Sequence, residues 1–180
     1  MEDLSLHILD VAENSIDAGA GLIVIALSEN DKEDSFSIRI TDDGKGMDEE
    51  MIKKVLDPFF TTKTVRRFGL GIPLLEQSCR ESGGGLSIES AEGKGTAITA
   101  EFRKGHIDRK PLGDMGATMM TLIGGHPEID FELRYEKNGD TDFILSTREL
   151  RMELDGVPLN EPAVLKYIKE NVNEALQEVY

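Results

Sequence analysis

The chain has 180 residues, enough for one full core and a further subdomain, with 39% hydrophobic and 31% charged residues. Its net charge of −15 is shared by both parts, with 12 basic and 20 acidic residues up to position 105 and 8 and 15 beyond it. Neither part offers the basic field that duplex nucleic acid needs, which points to a basic or neutral protein surface as the macromolecular partner. No apolar run approaches a membrane span, the acidic start MEDLSLHILD lacks a signal-peptide pattern, and the lone Cys79 cannot form an internal disulfide, so the expected compartment is the cytoplasm.

Leu4 to Ala18 reads as an amphipathic helix: Leu4, Ile8, Leu9, Val11, Ala12, Ser15 and Ile16 share one broad face, and Asp10, Glu13, Asn14 and Asp17 lie opposite. Gly19 and Gly21 end it. Strands are expected at Leu22–Ser28 and Phe36–Thr41, then a short helix at Asp48–Leu56 that Asp57-Pro58 breaks. Phe59–Arg67 reads as a loop. Gly69–Ser82 reads as a helix with Pro73 in its first turn, where a missing amide is tolerated. Leu86–Ser90 and Thr96–Phe102 read as strands around the turn AEGKG.

At Lys104–Gly113 the pattern turns polar, with Gly and Pro, and a boundary is placed there: residues 1–105 form one unit and 106–180 a small α+β extension. In the extension a helix is expected near Asp114–Ile123, strands at Ile129–Tyr135 and Asp142–Ser146, a short helix near Arg148–Leu154 and a last helix near Glu161–Glu178. No motif marks this extension, and its position alone suggests that it meets the partner.

Four motifs in the first hundred residues carry the chemistry. In ENSIDAGA (Glu13–Ala20), the i, i+4 spacing puts Asp10 and Asn14 on one side of the helix, with Asp17 next along the stripe. An amide oxygen suits Mg²⁺, which binds nucleotide phosphates through few protein ligands, and a carboxylate one turn earlier can orient or deprotonate a water. In DDGKGM (Asp42–Met47), Asp42 can accept from an exocyclic amine while Gly44 and Gly46 let the backbone approach a flat base. FGLGI (Phe68–Ile72) opens a helix whose amides suit an anion, with Gly69 and Gly71 clearing the approach. It is neither a Rossmann fingerprint nor a P-loop. Lys63, Arg66 and Arg67 form a basic spot suited to a triphosphate. GKGT (Gly93–Thr96) sits on a hairpin. Each motif alone also fits a bland role: a solvated acidic face, an acidic turn, a tight helix start, a glycine turn.

Together, in this order, they resemble the GHKL ATPases: gyrase, heat-shock chaperone, histidine kinase and MutL. ENSIDAGA resembles the N-box, DDGKGM the G1 box, FGLGI the G2 box, GKGT the end of the catalytic domain and DPFFTTK the F-box of histidine kinases. The resemblance spans about residues 1–104 and implies a two-layer α/β sandwich of the Bergerat type, binding ATP and Mg²⁺. It implies that Asn14 holds magnesium and that Asp42 reads the adenine amine, with Gly44, Gly46 and Met47 beside the base and Thr96 near it. Gly69, Leu70 and Gly71 would contact phosphate through their backbone. Phe59–Phe68 would be an ATP lid, with Phe60, Thr62, Lys63 and Phe68 at the nucleotide and Lys63 on phosphate.

Three departures matter. Asp10 stands where hydrolysing members carry glutamate, one methylene longer. Arg67-Phe68 stands where histidine kinases have a further glycine. No dimerisation helix pair or sensor precedes the first helix, so a stand-alone protein is expected. The resulting expectation is a Mg·ATP-dependent protein kinase or slow ATPase switch acting on a protein partner, with Asp10 catalytic, against the alternative of a non-catalytic ATP-sensing scaffold. Mismatch repair is disfavoured by length, charge and the absence of a basic second domain.

Overall fold

The computed structural model describes residues 3–57 and 71–179. Two antiparallel strands follow the first helix: α1 (Leu4–Asp17), β1 (Leu22–Asn30), β2 (Ser35–Asp42). After α2 (Glu49–Leu56) and α3 (Gly71–Glu81) comes the hairpin β3 (Gly85–Ser90) and β4 (Thr96–Arg103). Then follow α4 (Met115–Gly125), β5 (Asp130–Lys137), β6 (Asp140–Ser146), α5 (Thr147–Glu153) and α6 (Pro162–Ala175). The elements fall where hydrophobic periodicity places them, with shifted ends. β1 runs two residues further than expected and β2 begins one earlier, because both continue pairing to Asn30↔Ser35. α6 stops at Ala175, three residues short of the expected end.

All six strands form one mixed sheet, in the order β3-β4-β2-β1-β5-β6. β1 alternates strictly, with Ile23, Ile25, Leu27 and Glu29 buried. Register lines up Leu133, Ile25, Ile40, Ile98 and Ile88 across five strands, and Tyr135, Leu27, Ile38, Ala100 and Leu86 in the next row. This apolar face is covered by helices, while the other face carries polar side chains such as Arg39, whose guanidinium donates to Thr99 Oγ1 at 2.9 Å. The period-2 pattern of the strands therefore becomes a two-layer α/β sandwich.

Residues 104–114 form the irregular connection between β4 and α4, where the sequence pattern changes. Beyond it, β5 pairs in parallel with β1, from Leu22↔Asp130 to Glu29↔Lys137. α4 packs between α1 and α6 and is buried on most sides through Met115, Met119, Leu122 and Ile123. The residues of the extension thus share one hydrophobic core with the first hundred. The connection also holds the start of α1: the amides of Leu4 and Ser5 donate to the carbonyls of Pro111 and Leu112 at 3.0 and 2.8 Å. The side chain of Asp3 caps the same helix, accepting from the Leu6 amide at 3.1 Å.

Candidate nucleotide-binding site

β2 ends at Asp42, which the register sets beside Ile23 of β1 and Thr96 of β4. Both of its carboxylate oxygens are engaged from one side. Oδ2 accepts from Ser15 Oγ at 2.7 Å, and Oδ1 accepts from the Gly44 amide at 2.9 Å. An ionised carboxylate has about four lone-pair sites, so acceptor capacity remains for an amine. The carboxylate faces a cavity walled by Val11, Ile72, Met47 and Ile98, with Asn14 and Thr96 at its polar edges. The cavity is small, about 30 Å³, but its apolar walls around one fixed acceptor are the chemistry that an exocyclic amine on a flat ring calls for.

Ser15 is a site residue that the helical period hid. It sits on the apolar face of α1 and is 5% exposed, yet its hydroxyl orients Asp42. The signal in the sequence was a serine among aliphatic residues, one position after Asn14.

Two glycine turns lock the cavity rim. Gly46 has φ +68 and Gly95 has φ +79, both in the left-handed region. A Cβ on Gly46 would overlap the Ala91 carbonyl, and one on Gly95 would overlap the Asp42 carbonyl. The DDGKGM and GKGT turns are thus packed backbone to backbone. Ser90 ties them further: its hydroxyl accepts from the Met47 amide at 2.8 Å and lies 2.9 Å from both the Gly95 carbonyl and Thr96 Oγ1. The Gly93 amide donates to the Lys45 carbonyl at 2.7 Å. Asp43 accepts from the Gly21 and Leu22 amides at 2.7 and 2.9 Å, holding the end of α1 against the same turn.

Towards the N-terminus of α1, the polar stripe meets the start of α3. Asn14 Nδ2 is buried without a hydrogen-bond partner. The exposed Asp10 abuts Gly71, where an added Cβ would lie 2.9 Å from Asp10 Cβ and 3.0 Å from its carboxylate. Asn14, Asp42, Gly46, Met47 and Thr96 therefore line one cavity, with Gly44 bonded to Asp42, and Asp10 and Gly71 meet each other outside that lining. Asp17 does not join them: it is exposed at the last turn of α1, where Ala18 lines the cavity instead. Phe60, Thr62, Lys63, Phe68, Gly69 and Leu70 lie outside the described residues.

Among the described residues no group of three His, Cys, Asp or Glu side chains could hold a metal. Asn14 offers an amide oxygen to an ion carried by a nucleotide, while its Nδ2 is a buried donor without a partner. Cys79 is buried, and burial pushes its thiol up to about 12, so it carries no nucleophilic chemistry at neutral pH.

Residues 2–106 match the family model of histidine kinase-, DNA gyrase B- and HSP90-like ATPases. The chain belongs to that family. This is a family of ATPase domains, and membership supports ATP binding by this chain. Sporulation kinase E of Bacillus subtilis (strain 168) is 33% identical over 106 residues, covering 57% of this chain and 14% of that protein. Sporulation kinase C of the same organism is 33% identical over 90 residues, 50% of this chain and 21% of that one. The chain thus spans only a small part of the curated relatives it matches. Among solved structures, the N-terminal domain of a DNA repair protein superposes with a TM-score of 0.50 at 17% identity, covering 81% of this chain and 53% of that one, a likeness of fold. No helix among the described residues is long and apolar enough to cross a membrane.

Proposed function

We propose that this protein binds Mg·ATP in the cavity between α1, β2 and the β3–β4 hairpin and uses it to act on a protein partner, as a regulatory protein kinase or an ATPase switch. The single observation that carries the reading is the Asp42 carboxylate, fixed by Ser15 and Gly44 at one side of an apolar slot. In this reading Asp42 accepts the adenine amine, and Met47 and Ile98 flank the base. Asn14 would hold the ion, which neutralises phosphate charge when bound. Asp10 lies at the start of α3, where it would orient a water or a partner hydroxyl. The names of relatives, two sporulation kinases among them, favour the kinase branch.

A non-catalytic ATP-sensing module is the second reading. It is favoured by Asp10 itself: the short carboxylate is exposed, and among the described residues no side-chain hydrogen bond aims it.

Calorimetric titration of ATP with and without Mg²⁺ tests the ligand. Asp42→Asn turns an acceptor edge into a mixed one and is expected to weaken ATP by about 1–3 kcal/mol. Unchanged affinity would remove the adenine assignment. Release of free phosphate, or phosphate transfer to a captured partner, then separates the catalytic reading from the sensing one, with Asp10→Asn as the control.

A further inference from the structure

The last two helices wall an apolar groove that opens to solvent. α5 supplies Leu150, Glu153 and Leu154, and the first turns of α6 supply Ala163, Val164 and Tyr167. The spacings i, i+3, i+4 on α5 and i, i+4 on α6 put each set on one side of its helix. The groove holds about 430 Å³, and none of its residues lines the cavity beside Asp42. Its floor is tied to the core: Val164 is buried, and Leu150 and Leu154 pack against the shared apolar cluster. Its outer wall, Tyr167, is 57% exposed. Covering such a surface is favourable by about 25 cal/mol for each Å² of apolar area removed from water.

The surrounding charges select what covers it. α5, α6 and the turn between them carry six carboxylates, Glu149, Glu153, Asp155, Glu161, Glu170 and Glu174, and four cations. Every one of those cations already has an acid. Arg148 and Arg151 bond Asp130, Lys169 lies 3.5 Å from Asp114, and Lys166 lies 3.7 Å from Glu170. The other five carboxylates are exposed and, among the described residues, pair with no cation. A cover for this groove must therefore bring positive charge. A second copy of the chain would bring the same excess of carboxylate, and like charges would meet.

A groove walled by two helices receives the ridge of a third, whose apolar anchors recur at i, i+3, i+4 and i+7. We infer that the α5–α6 groove docks a basic amphipathic helix of the protein partner. Its apolar stripe rests on Leu150, Leu154 and Tyr167, and its lysines or arginines lie over Glu153 and the carboxylates beside it. This names the surface that meets the partner and rests on the proposed function only for what the partner is for. The docking itself needs no nucleotide.

The test titrates the full chain, without nucleotide, with a synthetic helical peptide of about 18 residues, leucine at i, i+3, i+4 and i+7 and lysine elsewhere. Amide NMR signals are expected to shift in α5, α6 and the turn between them and to stay in place elsewhere. Calorimetry is expected to show binding weakened by about tenfold or more in Glu153→Lys, and equally in Ala163→Trp, which fills the groove from an exposed position. Glu89→Lys makes the same charge change on β3, at the opposite edge of the sheet, and should alter binding by less than about twofold. A peptide of the same composition with scattered leucines should not dock. Shifts spread over the whole acidic surface, or equal loss in Glu89→Lys, would reduce the effect to general charge attraction and overturn the inference. No binding at all would overturn it too, as would a dimer of the chain that covers these same residues. ATP titration of the same protein keeps the two readings apart: a docked peptide with no ATP uptake sinks the nucleotide reading alone, and ATP uptake with no docked peptide sinks this one alone.

Discussion

Ser15 shows how one hydroxyl decides what a carboxylate can do. Without it, Oδ2 of Asp42 would be free to turn towards solvent or the Lys45 turn. With it, the 2.7 Å bond pins the carboxylate plane, and Gly44 fixes the other oxygen. Ser15→Ala leaves the helix intact, since alanine is the better helix former, and removes one hydrogen bond. ATP affinity is expected to fall by about 0.5–1.5 kcal/mol, roughly two- to tenfold, with little change in melting temperature. Titration calorimetry beside thermal unfolding checks both halves, and unchanged ATP affinity would mean that Asp42 needs no orientation. Asp42 was legible in the sequence because its turn stands in order and spacing with three other motifs; alone it fits an acidic turn after a strand. Ser15 was not: it lies on the buried side of α1, where period-3.6 reasoning assigns packing, and only coordinates distinguish a packed hydroxyl from one aimed across 27 residues at Asp42.

At the scale of elements, the site is a junction between two turns. Both glycines of the GKGT turn have positive φ, 74 for Gly93 and 79 for Gly95, so both resist alanine on backbone grounds. They differ in what surrounds them. A Cβ on Gly93 meets nothing within 4 Å, whereas one on Gly95 runs into the carbonyl of Asp42 and lies 3.0 Å from Asp43 Cα. Gly93→Ala is expected to cost about 1 kcal/mol and leave nucleotide binding alone. Gly95→Ala must push the hairpin off the Asp42 turn, with a loss above about 3 kcal/mol and ATP binding abolished. Denaturant unfolding and ATP titration of the two variants side by side check this, and equal behaviour would show that the turns are not coupled. Glycine-rich spacing predicted turns at both places. That the two turns share a backbone contact is a property of the β2–β4 register, Asp42↔Thr96, which no local pattern encodes.

For the whole molecule, the question is what joins the extension to the nucleotide-binding part. The strands beyond residue 106 were legible as strands, but their address was not, because parallel pairing of β5 with β1 leaves no turn signature in the sequence. One address label was present as an oddity: Glu29 continues the buried alternation of β1 and is only 2% exposed. The structure surrounds it with donors from both parts. Tyr135 Oη of β5 donates at 2.7 Å, Lys104 of the connecting segment lies at 3.0 Å and Lys137 at 3.4 Å. Arg109 of the same segment, whose guanidinium lies 5.2 Å over the Phe36 ring, adds positive potential. Burial alone would raise the Glu29 carboxyl; the Tyr135 hydroxyl and the Lys104 ammonium more than reverse it, with Lys137 adding to the effect, so the group sits below its ordinary 4.5. A carboxyl depressed in the folded state contributes stability at pH values above its unfolded pKa and loses it as pH falls through the folded one. Glu29→Gln is therefore expected to cost about 1–3 kcal/mol at pH 7, because the half-buried Lys104 and Lys137 lose their buried counter-charge. The gap to wild type should then narrow as pH falls below 4.5, where wild type surrenders the same contribution by protonation. Denaturant unfolding of both chains from pH 7 to pH values below 4.5 measures the gap. A gap that stays constant with pH would assign the loss to packing, and the union of β1, β5 and the connecting segment would then rest on the shared apolar core alone.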